Sequence, residues 1–126
     1  MSKKILIVED NEDSRELLAH ILRSQGHRVI EASSSKEGIE SAIRENPDLI
    51  FMDLGLPDVD GLKTTAALGQ NPATSHIPVV AVTAWFYVMW KDKATQAGVA
   101  EYLEKPALPA MLRDAVDRFT RKTVSQ

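Results

Sequence analysis

The apolar residues of the chain fall into short continuous runs, separated by segments in which apolar residues recur every three or four positions. Runs rich in β-branched and large aliphatic side chains predict strands that are buried on both faces, as in a parallel sheet. The predicted strands are Lys4–Val8, Arg28–Ala32, Leu49–Met52, Val79–Thr83 and a weaker fifth one, Glu101–Glu104.

The segments between these strands have the apolar spacing of helices. The first ends at Gly26, because glycine readily adopts the left-handed conformation that closes a helix. Ser34 and Glu37 have the spacing of a capping box that opens the second, and Asn46-Pro47 closes it. The predicted helices are a first one through Leu17–Leu22, a second over about Ser34–Ile43, and three more over Gly61–Leu68, roughly Trp90–Ala97 and Leu108–Arg121.

Five alternations of strand and helix predict an α/β fold of the doubly wound kind. Right-handed crossovers then place helices on both faces of a mostly parallel sheet, which gives three layers. A chain of 126 residues suits one domain with a core over about residues 4–121, and a second domain has no room.

Composition narrows the functional classes. The formal net charge of −3 argues against a protein that coats nucleic acid, and the lack of cysteine excludes disulfides and thiolate metal sites. The longest apolar run, residues 77–90, is about 14 residues, short of the roughly 20 that a membrane helix needs. We expect a cytoplasmic protein without membrane insertion or direct nucleic-acid contact.

Polar side chains stand where the predicted strands end. Glu9 and Asp10 follow the first strand, Asp53 follows the third, Thr83 ends the fourth and Lys105 follows the fifth. The carboxyl ends of parallel strands meet at one edge of the sheet, where such folds bind ligands. We therefore expect three carboxylates, a hydroxyl and an ammonium to converge there.

Carboxylates that converge in this way repel one another and lose hydration unless a cation joins them. An all-oxygen donor set suits Mg²⁺. With a cation, an ammonium and a hydroxyl, the site can hold a phosphoryl group, and an aspartate carboxylate can itself act as the nucleophile.

The motifs at these strand ends resemble those of two-component response-regulator receiver domains of the CheY-like type. They are Glu9-Asp10, Asp53 in FMDLGLPDVDG, Thr83-Ala84 in VAVTA and Lys105-Pro106 in EYLEKP. The resemblance spans about residues 4–121 and implies a flavodoxin-like (βα)5 sandwich with sheet order 2-1-3-4-5. Since the chain ends just after the fifth helix, we expect a stand-alone receiver without an output domain.

The resemblance also implies the chemistry of the acidic residues. Asp53 is the implied phosphoacceptor, which receives its phosphoryl group from a histidine kinase or a phosphotransfer protein. The implied ligands of Mg²⁺, or of Mn²⁺, are Asp10, Asp53, the backbone carbonyl of Gly55 and Glu9, the last directly or through water.

Four further roles follow from the same resemblance. Thr83 and Lys105 are expected to bind phosphoryl oxygens, and Ala84 is small enough to leave the phosphoryl group room. The Lys105-Pro106 peptide bond is expected to be cis. Tyr102 matches an aromatic switch that moves inward with Thr83 and so alters the face made by helix four, strand five and helix five.

Other residues of these types have ordinary structural interpretations. Asp58 and Asp60 precede a helix and suit turn and N-cap chemistry better than metal ligation, and Gly61 suits the same turn. His20, His27 and His76 lie on a helix or beside turns, so we do not expect a catalytic histidine.

Two other functional classes stay open. A Mg²⁺-dependent phosphohydrolase of the haloacid-dehalogenase-like kind would use Asp53 as nucleophile. Such an enzyme also needs an aspartate as general acid at position 55, where this chain has glycine. We therefore expect no enzymatic activity other than the transfer and hydrolysis of the protein's own phosphoryl group. A phosphorylation-independent interaction or dimerisation module is the second alternative, and the aromatic residues after strand four favour it.

The stretch WFYVMW replaces the mostly polar residues that many receivers carry after the Thr-Ala pair. It places four of the seven aromatic residues of the chain in six positions. We expect it to form the loop after strand four and the first turn of helix four, and to be a surface for a downstream protein or for self-association. Its residues are Trp85, Phe86, Tyr87, Val88, Met89 and Trp90.

Trp85 generates the first testable prediction. In the resembled family, the residue two positions after the switch threonine can govern how water attacks the phosphoaspartate, and a bulky apolar ring there is expected to shield the phosphoryl group. We predict that Trp85→Glu dephosphorylates faster than the wild type when loss of the phosphoryl group is followed over time. Equal rates would contradict the shielding role.

Overall fold

The computed structural model describes residues 2–84 and 88–121, and for residues 88–91 it describes the backbone alone. Within these residues, strands and helices alternate along the chain. They are β1 (Lys4–Val8), α1 (Glu12–Ser24), β2 (Arg28–Ala32), α2 (Ser35–Glu45), β3 (Leu49–Met52), α3 (Gly61–Gln70), β4 (Val79–Thr83), α4 (Val88–Ala97), β5 (Glu101–Glu104) and α5 (Pro109–Thr120).

The strands form one parallel sheet in the order β2-β1-β3-β4-β5. This confirms the doubly wound α/β fold, the strand order and the bounds of all five predicted strands. The winding direction reverses between β1 and β3, because β1 pairs with β2 on one side and with β3 on the other. A crevice at the carboxyl ends of β1 and β3 is the expected place for a ligand in such a sheet.

Alternate strand residues point to opposite faces of the sheet, and each face has its own apolar cluster. Ile5 and Ile7 pack with α1 and α5, through residues such as Leu22 and Leu112. Leu6 and Val8 belong to a second cluster with residues of α2 and α3, including Ala42 and Leu68. A strand that is buried on both faces reads as a continuous apolar run, which is why the sequence pattern located the strands well.

Three helices begin at side chains that cap their first turn. The side chains of Asn11, Ser34 and Asp60 accept hydrogen bonds from the backbone N–H groups of Ser14 (2.8 Å), Glu37 (3.2 Å) and Lys63 (2.9 Å). The N-cap predicted for Ser34 and the one predicted at Asp60 are therefore confirmed. The Glu37 carboxylate, however, bonds to Ser33 and not to Ser34, so the capping box is only half formed.

Helix bounds differ from the predictions by one or two residues. Helix α4 begins at Val88 and not near Trp90, and α3 continues to Gln70. Helix α5 excludes Leu108, whose extended backbone makes it the N-cap, and Pro109 occupies the first turn. Differences of this size are usual at helix ends, which are the least sharply defined parts of a helix. None of the described helices has the length and apolar content that crossing a membrane requires.

Both edge strands carry a glutamate that pairs with arginines from a neighbouring helix. Glu31 on β2 bonds to Arg15 (3.3 Å) and Arg23 (3.2 Å), and Arg23 also donates to the carbonyl oxygen of Val29 (3.3 Å). On β5, Glu101 bonds to Arg118 at 2.6 Å. These pairs place charged groups along the two free edges of the sheet.

Gly61, the first residue of α3, lies directly against the end of β3. A Cβ atom at this position would lie 2.4 Å from the carbonyl oxygen of Asp53 and 2.6 Å from the Cα atom of Leu54. Both are backbone atoms, so the contact could be relieved only by moving the chain. Glycine is therefore needed here for close packing, as well as for the turn that the sequence suggested.

This packing gives the second prediction. Gly61→Ala should lower the free energy of unfolding by about 1–3 kcal/mol, the usual cost of forcing extra volume into a packed site. Gly69→Ala is the matched control in the same helix, because nothing lies within 4 Å of a Cβ there. That control should be neutral or gain up to about 1 kcal/mol. Urea unfolding of both variants tests this, and equal midpoints would contradict the steric role of Gly61.

Candidate functional site

Three carboxylates meet where β1 and β3 end. Glu9 and Asp10 directly follow β1, and Asp53 directly follows β3. The backbone N–H of Asp53 donates to the carbonyl oxygen of Val8 at 2.9 Å, so strand pairing continues up to the site. One carboxylate oxygen from each acidic residue lies within 4.8 Å of the others, and Glu9 and Asp53 are buried whereas Asp10 is exposed. We call Glu9, Asp10 and Asp53 the acidic cluster.

Lys105 directly follows the edge strand β5 and brings a positive charge to the acidic cluster. Its backbone N–H donates to the carbonyl oxygen of Thr83 at 2.9 Å, which ties it to the end of β4. Its Nζ atom hydrogen-bonds to Oε1 of Glu9 and lies 3.6 Å from Oδ2 of Asp53. The peptide bond between Lys105 and Pro106 is cis, as predicted.

The loops beside the acidic cluster supply backbone N–H donors. The N–H of Gly55 donates to Oδ1 of Asp53 at 3.1 Å, and that of Asn11 donates to Oε2 of Glu9 at 3.1 Å. Gly55 is exposed and lies next to the Asp53 carboxylate. The loop after β3 thus passes directly over the predicted phosphoacceptor.

The pKa of Glu9 is raised from its ordinary value of 4.5 to about 7. Burial is the largest cause and the neighbouring Asp53 adds to it, whereas Lys105 and the N–H of Asn11 act in the opposite direction. One ammonium therefore does not offset the concentration of negative charge in the acidic cluster. A divalent cation would, and three carboxylates form an all-oxygen donor set that fits Mg²⁺.

Thr83, Ala81 and Tyr102 share one face of the sheet. Thr83 is fully buried at the end of β4, two residues after Ala81, so the two side chains point the same way. Ala81 is the register partner of Tyr102 on β5, and Tyr102 packs half-buried against the same apolar cluster. Burial raises the pKa of Tyr102, and the charge of Glu104 raises it further. The smaller Ala84 follows Thr83 and is exposed.

Part of the predicted association surface falls outside the described residues. This holds for Trp85, Phe86 and Tyr87, so the predicted shielding by Trp85 also stays a prediction. Val88, Met89 and Trp90 form the first turn of α4, as expected, but the structure describes only their backbone.

The histidines have the structural places that the sequence suggested. Nδ1 of His27 accepts from the backbone N–H of Lys3 at 3.1 Å. A ring nitrogen of His76 lies 2.9 Å from Oδ1 of Asn46. His20 is exposed on α1. The acidic cluster itself, as described, contains no histidine.

Two residues that contact the site or its loops were missed or interpreted too narrowly from the sequence. Arg15 donates to the carbonyl oxygen of Glu9 at 3.0 Å, and its place one turn into α1 was the only available signal. Asp58 was assigned to a local turn, but its carboxylate accepts from the backbone N–H groups of Ser35 and Lys36 at the start of α2. These partners are more than 20 positions away, beyond the reach of local patterns.

The fold and the site together define a class of protein: doubly wound α/β domains with a buried aspartate in an acidic cluster at the switch point of the sheet. Comparison with known families makes the assignment specific. The profile of the response regulator receiver domain matches residues 5–117, and the chain belongs to this family.

Similar proteins agree with this assignment. Polar-differentiation response regulator DivK from Brucella ovis is 38% identical over 106 residues, which cover 84% of this chain and 86% of that protein. Among solved structures, a putative response regulator from Chloroflexus aurantiacus superposes with a TM-score of 0.91 at 30% identity, over 97% of this chain and 100% of that one.

A second solved structure bears on the cation. The receiver domain of a sensor histidine kinase from Pseudomonas aeruginosa has a TM-score of 0.89 and 31% identity, over 97% of this chain and 100% of that one. That structure contains a magnesium ion coordinated in the active site cleft.

The raised pKa of Glu9 gives the third prediction, which concerns the protein in a chelator. Glu9 binds its proton more tightly in the folded chain than in the unfolded one. Its contribution to stability is therefore complete below about pH 4.5 and is lost as the pH rises through about 7. We expect the wild type to lose more unfolding free energy over this range than Glu9→Gln does, as measured by urea unfolding.

Glu16→Gln is the control, because Glu16 is exposed on α1 and away from the acidic cluster. It should keep the pH dependence of the wild type. If Glu9→Gln and Glu16→Gln followed the same pH profile, the burial of a charged Glu9 would not be the cause.

Proposed function

We propose that this receiver domain accepts a phosphoryl group on Asp53 and uses it to control binding to another protein. The observation that carries the proposal is the setting of Asp53, whose side chain is buried within the acidic cluster with the ammonium of Lys105 at 3.6 Å from Oδ2. A buried carboxylate between other carboxylates and an ammonium has the surroundings that phosphoryl transfer requires.

The transfer uses a phosphohistidine donor, which a histidine kinase or a phosphotransfer protein supplies. A carboxylate oxygen of Asp53 attacks the phosphorus atom, a P–O bond forms and the P–N bond to the imidazole breaks. The electron pair of that bond returns to the imidazole nitrogen. Lys105 neutralises one phosphoryl oxygen, and the Thr83 hydroxyl and nearby backbone N–H groups bind the others.

Mg²⁺ is the proposed cofactor, held by Glu9, Asp10 and Asp53 and by the backbone carbonyl of Gly55. When bound, it supplies positive charge that offsets the carboxylates and the phosphoryl oxygens. The magnesium in the similar Pseudomonas aeruginosa domain supports this choice. No comparable observation favours Mn²⁺.

The proposed output is a change of packing around Thr83 and Tyr102. Both lie on one face of the sheet beside Ala81, so a movement of Thr83 toward the phosphoryl group would open space for the tyrosine ring. This couples added charge to the face made by α4, β5 and α5 as a shift between two packings. The downstream partner then binds that face or the stretch formed by residues 85–90.

A phosphohydrolase is a weaker interpretation, because Gly55 offers no general acid beside Asp53. The interaction module that works without phosphorylation rests on the aromatic-rich stretch of residues 85–90 alone. The intact acidic cluster favours a protein that is regulated by phosphorylation over both of these alternatives. The catalysis is then limited to transfer and hydrolysis of the protein's own phosphoryl group.

The fourth prediction tests the acceptor. With Mg²⁺ and a small phosphodonor such as acetyl phosphate, the wild type should gain one phosphoryl group by intact-mass measurement, and Asp53→Asn should gain none. Asp60→Asn is the matched control, because asparagine caps a helix as well as aspartate does. It should be phosphorylated like the wild type.

The same samples test the control of association. Solution mass and partner binding are measured with and without beryllofluoride and Mg²⁺, in the wild type and in Asp53→Asn. Only the wild type should respond. Modification of Asp53→Asn at the wild-type rate would assign the acceptor elsewhere, and sustained release of phosphate from generic esters would favour the hydrolase.

A further inference from the structure

The carboxylate of Asp58 joins the loop between β3 and α3 to the start of a different helix. Its Oδ1 accepts from the backbone N–H of Ser35 at 2.9 Å, and its Oδ2 accepts from that of Lys36 at 3.1 Å. The first N–H groups of a helix have no carbonyl partner within the helix. Asp58 therefore supplies an N-terminal cap to α2 from outside α2, and the N–H of Ser35 lowers the pKa of Asp58 below its usual range.

A buried hydrogen bond reinforces this link. The hydroxyl of Ser35 lies 2.7 Å from that of Thr64, and both residues are buried. The Thr64 hydroxyl also lies 3.0 Å from the backbone oxygen of Asp60, to which it donates. The start of α2, the end of the loop and the first turn of α3 are thus one hydrogen-bonded unit.

Asp58, which belongs to this unit, lies three residues after Gly55 at the candidate cation site. Gly55, whose carbonyl is the proposed ligand, donates its own N–H to Asp53 at 3.1 Å. The loop closes where the N–H of Gly61 donates to the carbonyl oxygen of Leu54 at 2.9 Å. Between these two points, Asp58 is exposed, and its described hydrogen bonds beyond the loop go to α2. The loop that carries Gly55 is therefore tied at three points: to Asp53, to Leu54 and, through Asp58, to α2.

We propose that Asp58 is a positioning residue that fixes the loop carrying Gly55 and couples cation binding at the acidic cluster to the start of α2. The inference rests on the proposed function, since it assumes that Mg²⁺ binds beside Gly55. The coupling is reciprocal: loosening the contact of Asp58 with α2 weakens cation binding, and cation binding is felt at Ser35 and Lys36.

Calorimetric titration with MgCl₂ tests whether the contact of Asp58 with α2 affects cation binding. Asp58→Ala should bind Mg²⁺ about 10-fold more weakly than the wild type, as is usual when a residue that orients a metal ligand is removed. Asp58→Asn keeps one acceptor oxygen, so its affinity should fall between the two. This second variant keeps the test decisive if the alanine variant folds poorly.

Two matched controls separate positioning from stability and charge. Asp48→Ala also removes a carboxylate that accepts a backbone N–H, from Lys4 at 2.8 Å, but at the opposite end of β3. Asp60→Asn removes one negative charge from the same loop and keeps the cap of α3. Both should bind Mg²⁺ within about twofold of the wild type, a difference of about 0.4 kcal/mol.

The effect of cation binding on the start of α2 is tested by NMR, through the amide resonances of its residues. A residue with a purely structural role would not link these resonances to Mg²⁺. In the wild type, Mg²⁺ should shift the N–H signals of Ser35 and Lys36, whereas saturating Mg²⁺ should leave them in place in Asp58→Ala. Affinity of Asp58→Ala equal to that of Asp48→Ala overturns this inference alone. A wild type that binds no Mg²⁺ overturns the proposed cation site as well.

Discussion

The contact of the Lys105 ammonium with Glu9 and Asp53 is the interaction on which the site depends. Burying two carboxylates at the end of a parallel sheet removes their hydration, and an unpaired buried charge is costly. Lys105 reaches them because it directly follows β5, as Glu9 follows β1 and Asp53 follows β3, so all three stand at the carboxyl edge of the sheet. One ammonium between two buried carboxylates offsets only part of the free energy lost on dehydration. The raised pKa of Glu9 reflects the part that is not offset. The fold thus holds its acidic cluster in a state that favours an added cation.

The rest of the architecture serves that arrangement. Strand pairing continues past β1 and β3 through the N–H of Asp53, and past β4 through the N–H of Lys105. The functional groups are therefore fixed by backbone hydrogen bonds of the sheet, while the loops that cover them are held by capping side chains. Gly61 brings the start of α3 into direct contact with the backbone at the end of β3.

The strands and the acidic cluster could be predicted from the sequence because both follow from local patterns. Continuous apolar runs mark strands that are buried on two faces, and the ends of parallel strands must converge. The contact of Asp58 with α2 could not be found this way, since it depends on which elements become neighbours in space. The contact of Arg15 with Glu9 depends on how α1 leaves β1, which the apolar pattern does not specify. The start of α4 was also placed too late, because the sequence directly before Val88 offers no residue of the types that commonly cap a helix. The predicted roles of the aromatic residues 85–87 remain predictions.

The charged edges of the sheet have a consequence for aggregation. A free edge strand is a template for strand addition between molecules, and charges along it oppose that pairing. On β2, Arg15 and Arg23 surround Glu31, and Arg23 occupies a carbonyl that an incoming strand would use. On β5, Arg118 holds Glu101. Intermolecular contacts that leave the domain folded are thereby directed to its helices and loops, and fibre-like growth through the sheet is disfavoured.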